Sequence, residues 1–425
     1  MKINHQNGAT HPRHIAPLPV EALSDTPVVV FNGARQSGKS TLVQSLAASV
    51  LPLRQYLTLD DAVVLNAAKS DPGGFVGGLT GPVTLDEVQR APELFLAIKA
   101  AVNRSRQPGR FLPTGSADVL LLPGIADSLA GRVEILSLWP LSSAELVDSA
   151  AFNRADWLFQ GDLTALRIGP CERHDLIARL LAGGFPDAAN RRNPPRRAAW
   201  FDSYVQSILQ RDVRDLANIE QITEIPNLLQ LLAARSATLL NFAELSRSCA
   251  LPQSTLKRYF ALLEMLFMMV RLPSWKRNAS KRLVKAPKVF LPDSGLLGDF
   301  MGETPDSLAA KAGLPGRVVE TFVLAELLKH GAFSKQRLSL WHYRTQSNIE
   351  VDFVLENRLG QLTGIEVKAS STVDGKDFKG LHHLQETEPD SFLRGFVFYS
   401  GSELVPFGKN LWAMPLSMWW AVPRA

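Results

Sequence analysis

The sequence predicts an α/β protein with a parallel-sheet core, a helical lid, a winged-helix-like middle and a second α/β domain at its C-terminal end. Three observations predict it. Short β-branched runs alternate with helical patterns up to about residue 150, helical spacing takes over from there to about 270, and strand runs return after residue 315. The length, 425 residues, suits about three domains at roughly 150 residues each.

Val28 to Phe31 is a β-branched run leading into a glycine-containing loop, after which Leu42, Val43 and Leu46 take helical spacing. Tyr56 to Leu59 and Val83 to Leu85 are further strand runs, ending in Asp60-Asp61 and Asp86-Glu87. Helices are predicted over Glu172 to Leu181, closed by Gly183-Gly184-Phe185-Pro186, and over Trp200 to Val213. The arginine pairs Arg191-Arg192 and Arg196-Arg197 flank prolines and read as an exposed linker. Leu228 to Ala234, Phe242 to Ser246 and Gln253 to Leu266 form a winged helix-turn-helix pattern broken at Leu251-Pro252. A helix over Val318 to His330 precedes strand runs near Leu338 to Tyr343, Val351 to Leu355, Thr363 to Val367 and Phe396 to Tyr399. The expected boundaries are 1–150, 151–220, 221–275 and 276–425. Nothing repeats internally.

Composition narrows the class. Apolar residues make up 46% and charged residues 20%, and 29 Gly and 27 Pro show no period, which excludes disorder and collagen-like repeats. The net charge of +5 permits a nucleic-acid partner without demanding one. Cys171 and Cys249 stand far apart, so a disulfide framework and a structural zinc site are both excluded and reduced thiols are expected. Met1 to Arg13 has no apolar run of a secretory signal, and no stretch reaches the roughly 18 apolar residues of a membrane span. A cytoplasmic protein without membrane partners is expected.

Gly33-Ala34-Arg35-Gln36-Ser37-Gly38-Lys39-Ser40 spaces two glycines, a lysine and a hydroxyl residue as a phosphate-binding loop between strand and helix. The glycines let backbone amides curl around phosphates, and the helix N-terminus adds its dipole. Lys39 is expected on the β and γ phosphates of ATP and Ser40 on Mg²⁺, with Thr41 as a second hydroxyl. The run Val83-Thr84-Leu85-Asp86-Glu87 delivers Asp86 toward the metal and Glu87 toward the attacking water. Ser116, in Thr114-Gly115-Ser116, is either a γ-phosphate sensor or a plain turn residue. Arg132, closing Ser128-Leu129-Ala130-Gly131-Arg132, is either a finger for transferring phosphate, within the chain or across a subunit contact, or a surface arginine.

These motifs resemble a prokaryotic family of AAA-type ATPases whose members carry a C-terminal domain of unknown function with a restriction-endonuclease-like fold. The resemblance continues through Gly183-Gly184-Phe185-Pro186, Gln210-Arg211-Asp212-Val213, Pro287-Lys288-Val289-Phe290, Asp293-Ser294-Gly295-Leu296 and Glu350-Val351-Asp352-Phe353, most of the chain. It implies that Gly38, Lys39, Ser40, Asp86 and Glu87 carry ATP and Mg²⁺, with Ser116 as sensor and Arg132 as finger. The chain departs from the family pattern twice. Ala34 replaces a common proline, and Pro113 replaces a leucine before Thr114, removing a ladder donor from a central strand.

In the last domain, Asp352 stands on one strand and Glu366-Val367-Lys368 on the next, across a turn at Asn357 to Gly360. Alternation puts Glu366 and Lys368 on one face. Asp352 and Glu366, with Glu320 from the preceding helix, are candidate Mg²⁺ ligands, and Lys368 a candidate for activating a water. This arrangement is similar to the restriction-endonuclease-like nucleases, and it reads equally as an exposed ion pair. Lys257 and Arg258, with the basic run Arg271, Lys276, Arg277, Lys281, Arg282, Lys285 and Lys288, make DNA the leading partner; the rival is a packing unit with a solvated charged face. The expected function is an AAA-type ATPase controlling a nuclease-like, DNA-associated domain. The alternatives are a nucleotide-dependent scaffold, whose partner is a protein or a second copy, and a nucleic-acid-binding switch with negligible turnover.

Overall fold

The computed structural model describes residues 2–4, 10–49, 54–118, 131–213, 224–277 and 286–424. By contact density the chain forms two compact units, one made of residues 1–140 with segments 210–218 and 261–268, the other of the remainder. Ser128, Leu129, Ala130, Lys281, Arg282 and Lys285 lie outside the described residues.

The first unit is built on five parallel strands: β1 (Val28–Asn32), β2 (Gln55–Thr58), β3 (Val83–Asp86), β4 (Phe111–Gly115) and β5 (Val133–Ser137), in the order β2-β3-β4-β1-β5. Val28 to Phe31 reads as an unbroken apolar run because both faces of the central strand are covered; all four residues are fully buried. Helix α1 (Lys39–Ser49) leaves the loop after β1, and α2 (Leu94–Arg104) lays Leu94, Phe95 and Ile98 on Val28, Val83, Leu85 and Phe111. Each such fully buried side chain contributes roughly 1.5–3 kcal/mol. Pro113 does sit in a central strand, beside Leu85 of β3. On its other side, pairing with β1 lapses between Val28↔Phe111 and Phe31↔Thr114, so the missing donor costs a local gap and Thr114 re-enters the ladder.

The second unit begins with helices. In α3 (Arg173–Ala182) Leu176, Ile177, Leu180 and Leu181 form the buried stripe the spacing predicts. Gly183, at φ 64°, lets the chain turn against Asp293, and Gly184 N donates to Asp293 Oδ2 at 2.7 Å. Asp293 also caps the helix Ser294–Phe300, so two of the sequence motifs meet and act structurally. The expected linker at Arg196-Arg197 is instead the first turn of α4 (Pro194–Ser207): Asn193 caps Arg196 N at 3.2 Å, Pro194 occupies the first turn, and Arg197 donates to the carbonyls of Ala188 and Arg191. Proline flanks mimic a linker but also start helices.

Next come α5 (Ile225–Ala234), β6 (Thr238–Leu239), α6 (Phe242–Cys249), α7 (Gln253–Met265), β7 (Val270–Leu272) and β8 (Lys288–Phe290). The three strands are antiparallel in the order β7-β8-β6, with β8 central. Asn241 caps α6, and Ala250 in left-handed conformation turns the chain toward α7. The last section is α8 (Gly316–Gly331), a meander of β9 (Ser339–Arg344), β10 (Glu350–Glu356) and β11 (Leu362–Val367), then α9 (Lys379–Thr387), β12 (Phe392–Tyr399), β13 (Val405–Gly408) and β14 (Leu411–Pro415). The sheet order is β9-β10-β11-β12-β14-β13; β12 is parallel to both β11 and β14. Val351, Val354, Leu381, Leu384 and Val397 pack its core.

Candidate functional site

The loop after β1 is held in a shape few sequences tolerate. Gly33 lies at φ 148° and Gly38 at φ 95°, and Gln36 is left-handed at φ 58°. A Cβ on Gly33 would come 2.1 Å from Leu138 O. Lys39, 4% exposed at the first turn of α1, donates from Nζ to the carbonyls of Gly33 (2.9 Å) and Ala34 (2.8 Å), so its ammonium lies inside the loop. Ser40 and Thr41 follow in the same turn, half-buried; Arg35 is half-buried, Gln36 exposed and Ser37 buried. Arg13, which sequence reasoning passed over, donates from Nη1 to Ser37 O at 2.8 Å and from Nη2 to Trp139 O at 2.7 Å. No local pattern marks it, since its partners are distant carbonyls.

Asp86 ends β3 and is 3% exposed. Its two oxygens accept from Thr114 Oγ1 on β4 and Tyr56 OH on β2. Burial first, then the Asp86 carboxylate, pushes the Tyr56 hydroxyl well above its ordinary pKa, so it remains a proton donor. Glu87 leaves the strand in the left-handed region, φ 60°, a costly conformation for a non-glycine residue. Its Oε2 accepts from Gln89 Nε2, which also donates to Ser116 Oγ at 2.8 Å. The two acids and both hydroxyls therefore stand at the C-terminal edge of the parallel sheet, the edge from which the loop after β1 departs. Tyr56, Gln89 and Thr114 join the predicted set. The alternation of β2 marked Tyr56 only as a strand residue.

Arg132 is placed elsewhere. It precedes β5, whose first residue pairs with Val28 and whose last pairs with Asn32. At about 3.3 Å per residue, the five residues of β5 put it ~16 Å from the loop, at the opposite edge of the sheet. Its Nε donates to Asn103 Oδ1 at 2.8 Å. Within its own chain, Arg132 therefore stands at the sheet edge away from the loop.

The carboxylates of the last section do converge. Asp352 on β10 and Glu366 on β11 lie side by side, and Asp352 Oδ2 accepts from Val367 N at 3.0 Å. Glu320 faces them from α8. Between them lies Lys288 of β8, 2.8 Å from Asp352 Oδ1 and 3.7 Å from Glu320 Oε2. Burial would lower its pKa, but Asp352 and Glu320 outweigh that and raise it. Burial works against the Asp352 charge too, yet Lys288 keeps its pKa depressed, whereas burial and the Asp352 charge raise Glu320 and Glu366. Lys368 lies one residue past β11, partly exposed, 3.7 Å from Asp377.

Among the described residues no group of three His, Cys, Asp or Glu side chains is arranged to hold a metal ion. Two of the expected Mg²⁺ ligands, Glu320 and Asp352, contact the Lys288 ammonium instead. His342 on β9, beside this lysine, is pushed down to about 4 by burial and then by the Lys288 charge. On α7, Lys257 and Arg258 are exposed. No helix among the described residues is long and apolar enough to cross a membrane.

Three family models match the chain: an AAA domain over residues 25–147, a domain of unknown function (DUF8612) over 173–307, and another (DUF4143) over 315–419. Uncharacterized proteins of Mycobacterium tuberculosis and Mycobacterium bovis are each 33% identical over 398 residues, covering 93% of this chain and 81% of theirs. Among solved structures, a Walker-type ATPase of Pyrococcus abyssi has a TM-score of 0.42 at 13% identity, covering 71% of this chain and 98% of that one. The RuvB Holliday junction branch migration motor of Thermotoga maritima has a TM-score of 0.32 at 16% identity, covering 66% and 95%.

Proposed function

The chain belongs to the same family as the two mycobacterial proteins and carries an AAA domain, and we propose that this domain binds and hydrolyses Mg·ATP to control the C-terminal section. The observation that carries the reading is the placement of β4 between β1 and β3, which brings Thr114 and Ser116 between the phosphate loop and the acids Asp86 and Glu87 on one sheet edge. Bound Mg·ATP supplies the electrophilic γ phosphoryl group. Gly33 to Gly38 and Lys39 would hold the phosphates, Ser40 and Asp86 would hold the metal, and Glu87 would orient the attacking water. Gln89 and Ser116 both donate to the Glu87 carboxylate and hold it in place. Arg132, at the opposite sheet edge, would serve as a finger only for the site of a neighbouring copy.

DNA is the partner this reading favours for the middle section, because α7 presents Lys257 and Arg258 to solvent. A second reading, a nucleotide-gated scaffold with a non-catalytic C-terminal domain, is supported by the ion pair Lys288–Asp352. The order of α8, three strands, α9 and β12 supports the restriction-endonuclease-like fold, and a fold is not an activity.

The test is Mg²⁺-dependent ATP turnover by wild type, Lys39→Ala and Glu87→Gln, with and without duplex DNA. Lys39→Ala is expected to lose nucleotide binding. Glu87→Gln is expected to keep binding and lose turnover, because holding phosphate and orienting water are separate roles. Normal hydrolysis by Glu87→Gln removes the assignment of the base. Turnover indifferent to DNA moves the reading to the scaffold.

A further inference from the structure

We propose that Lys288 is the resident cation of the C-terminal carboxylate cluster, and that it closes Glu320, Asp352 and Glu366 to divalent metal ions. The ammonium is 2.8 Å from Asp352 Oδ1 and 3.7 Å from Glu320 Oε2, and the residue is 5% exposed. A hard divalent ion needs these same oxygens at about 2.0–2.6 Å. It cannot share Asp352 Oδ1 with an ammonium without direct charge repulsion. The other oxygen, Oδ2, accepts from Val367 N at 3.0 Å, so each Asp352 oxygen already has a donor.

The cluster's charge balance agrees with the geometry. Asp352 carries the charge that Lys288 neutralises, while Glu320 and Glu366 are biased to the protonated form by burial and by Asp352. A divalent ion would have to displace the lysine ammonium from Asp352 and Glu320. Backbone pairing fixes where the side chain starts: Lys288 lies on the central strand of its sheet, opposite Leu272 of β7 and Leu239 of β6. Only its side-chain torsions can carry the ammonium away. The cluster is thereby tied to the strands that follow α7.

The experiment uses the full chain without nucleotide and titrates Mn²⁺ by calorimetry and by thermal unfolding. Wild type is expected to show no Mn²⁺ binding that Asp352→Asn removes. Lys288→Met, close in volume, is expected to bind Mn²⁺ on the order of tenfold or more tightly than wild type, since a positive charge leaves the site. Its melting temperature should then rise with Mn²⁺. Adding Asp352→Asn should abolish both effects. Lys288→Arg keeps the charge and should remain closed.

A second measurement needs no variant. Lys288 of wild type should stay protected from an amine-acetylating reagent, read by mass spectrometry, with and without millimolar Mn²⁺. Wild-type Mn²⁺ binding that depends on Asp352, acetylation of Lys288 on adding Mn²⁺, or a folded Lys288→Met chain blind to Mn²⁺ each overturns the proposal.

Discussion

Replacing Gly33 by alanine tests whether the phosphate loop is shaped by a close backbone approach. The substitution forces a Cβ to within 2.1 Å of Leu138 O and 2.9 Å of its carbonyl carbon, at φ 148°. Leu138 cannot retreat freely: its N–H donates to Asn32 O at 2.8 Å, and Arg13 holds the next carbonyl, Trp139 O, at 2.7 Å. The glycine-only backbone conformation costs an alanine about 1–3 kcal/mol, and displacing packed backbone adds about 1–3 kcal/mol. Together these lower the melting temperature of a unit this size by on the order of 10 °C. Gly38→Ala is the control, because Gly38 is also strained at φ 95° but its nearest foreign atom is Arg13 Nη1 at 3.7 Å. It should lose only the conformational part. Differential scanning calorimetry on both variants, with nucleotide affinity by fluorescence, measures the two contributions separately. A Gly33→Ala variant melting within about 2 °C of Gly38→Ala, with an error of about 1 °C, would mean that the approach to Leu138 costs nothing.

Thr114→Val removes a hydroxyl that holds Asp86 in a fully buried position, and should lower unfolding free energy by about 1–3 kcal/mol in urea. Thr114→Ser, which keeps the donor, should recover most of it. Asp299 in the second unit has its carboxyl raised to about 6, by burial and then by Asp202. A raised folded pKa favours the protonated form, so its contribution is complete below the unfolded value near 3.8 and is lost as pH rises through about 6. Asp299→Asn should therefore melt higher than wild type at pH 7.5 and match it at pH 3.5; an unchanged difference across that range dismisses the assignment.

Much of the chain was legible without coordinates. The loop spacing, the two acids after an apolar strand and the return of strand runs beyond residue 315 are local patterns, set by side-chain volume, backbone freedom and periodicity. They located Lys39, Asp86, Asp352 and Glu366 on their elements and Glu87 just past its strand. Arg196-Arg197 misled because proline flanks serve both linkers and helix starts, and only the cap on Asn193 distinguishes them.

Tertiary structure alone decided the rest, because it concerns residues far apart in sequence. Tyr56, Asp86 and Thr114 sit on three neighbouring strands, and no pattern within one strand reports the register between them. Arg132 lies near the loop or far from it according to strand direction alone, and parallel pairing sends it to the opposite edge. Lys288 reads as one more basic residue in a basic run, yet β8 buries it between Asp352 and Glu320, 64 and 32 positions away. Sequence determined which chemical groups each element carries. Folding decided which opposite charges meet, because a buried ammonium and a buried carboxylate are each costly alone and become stable only when packing brings them together.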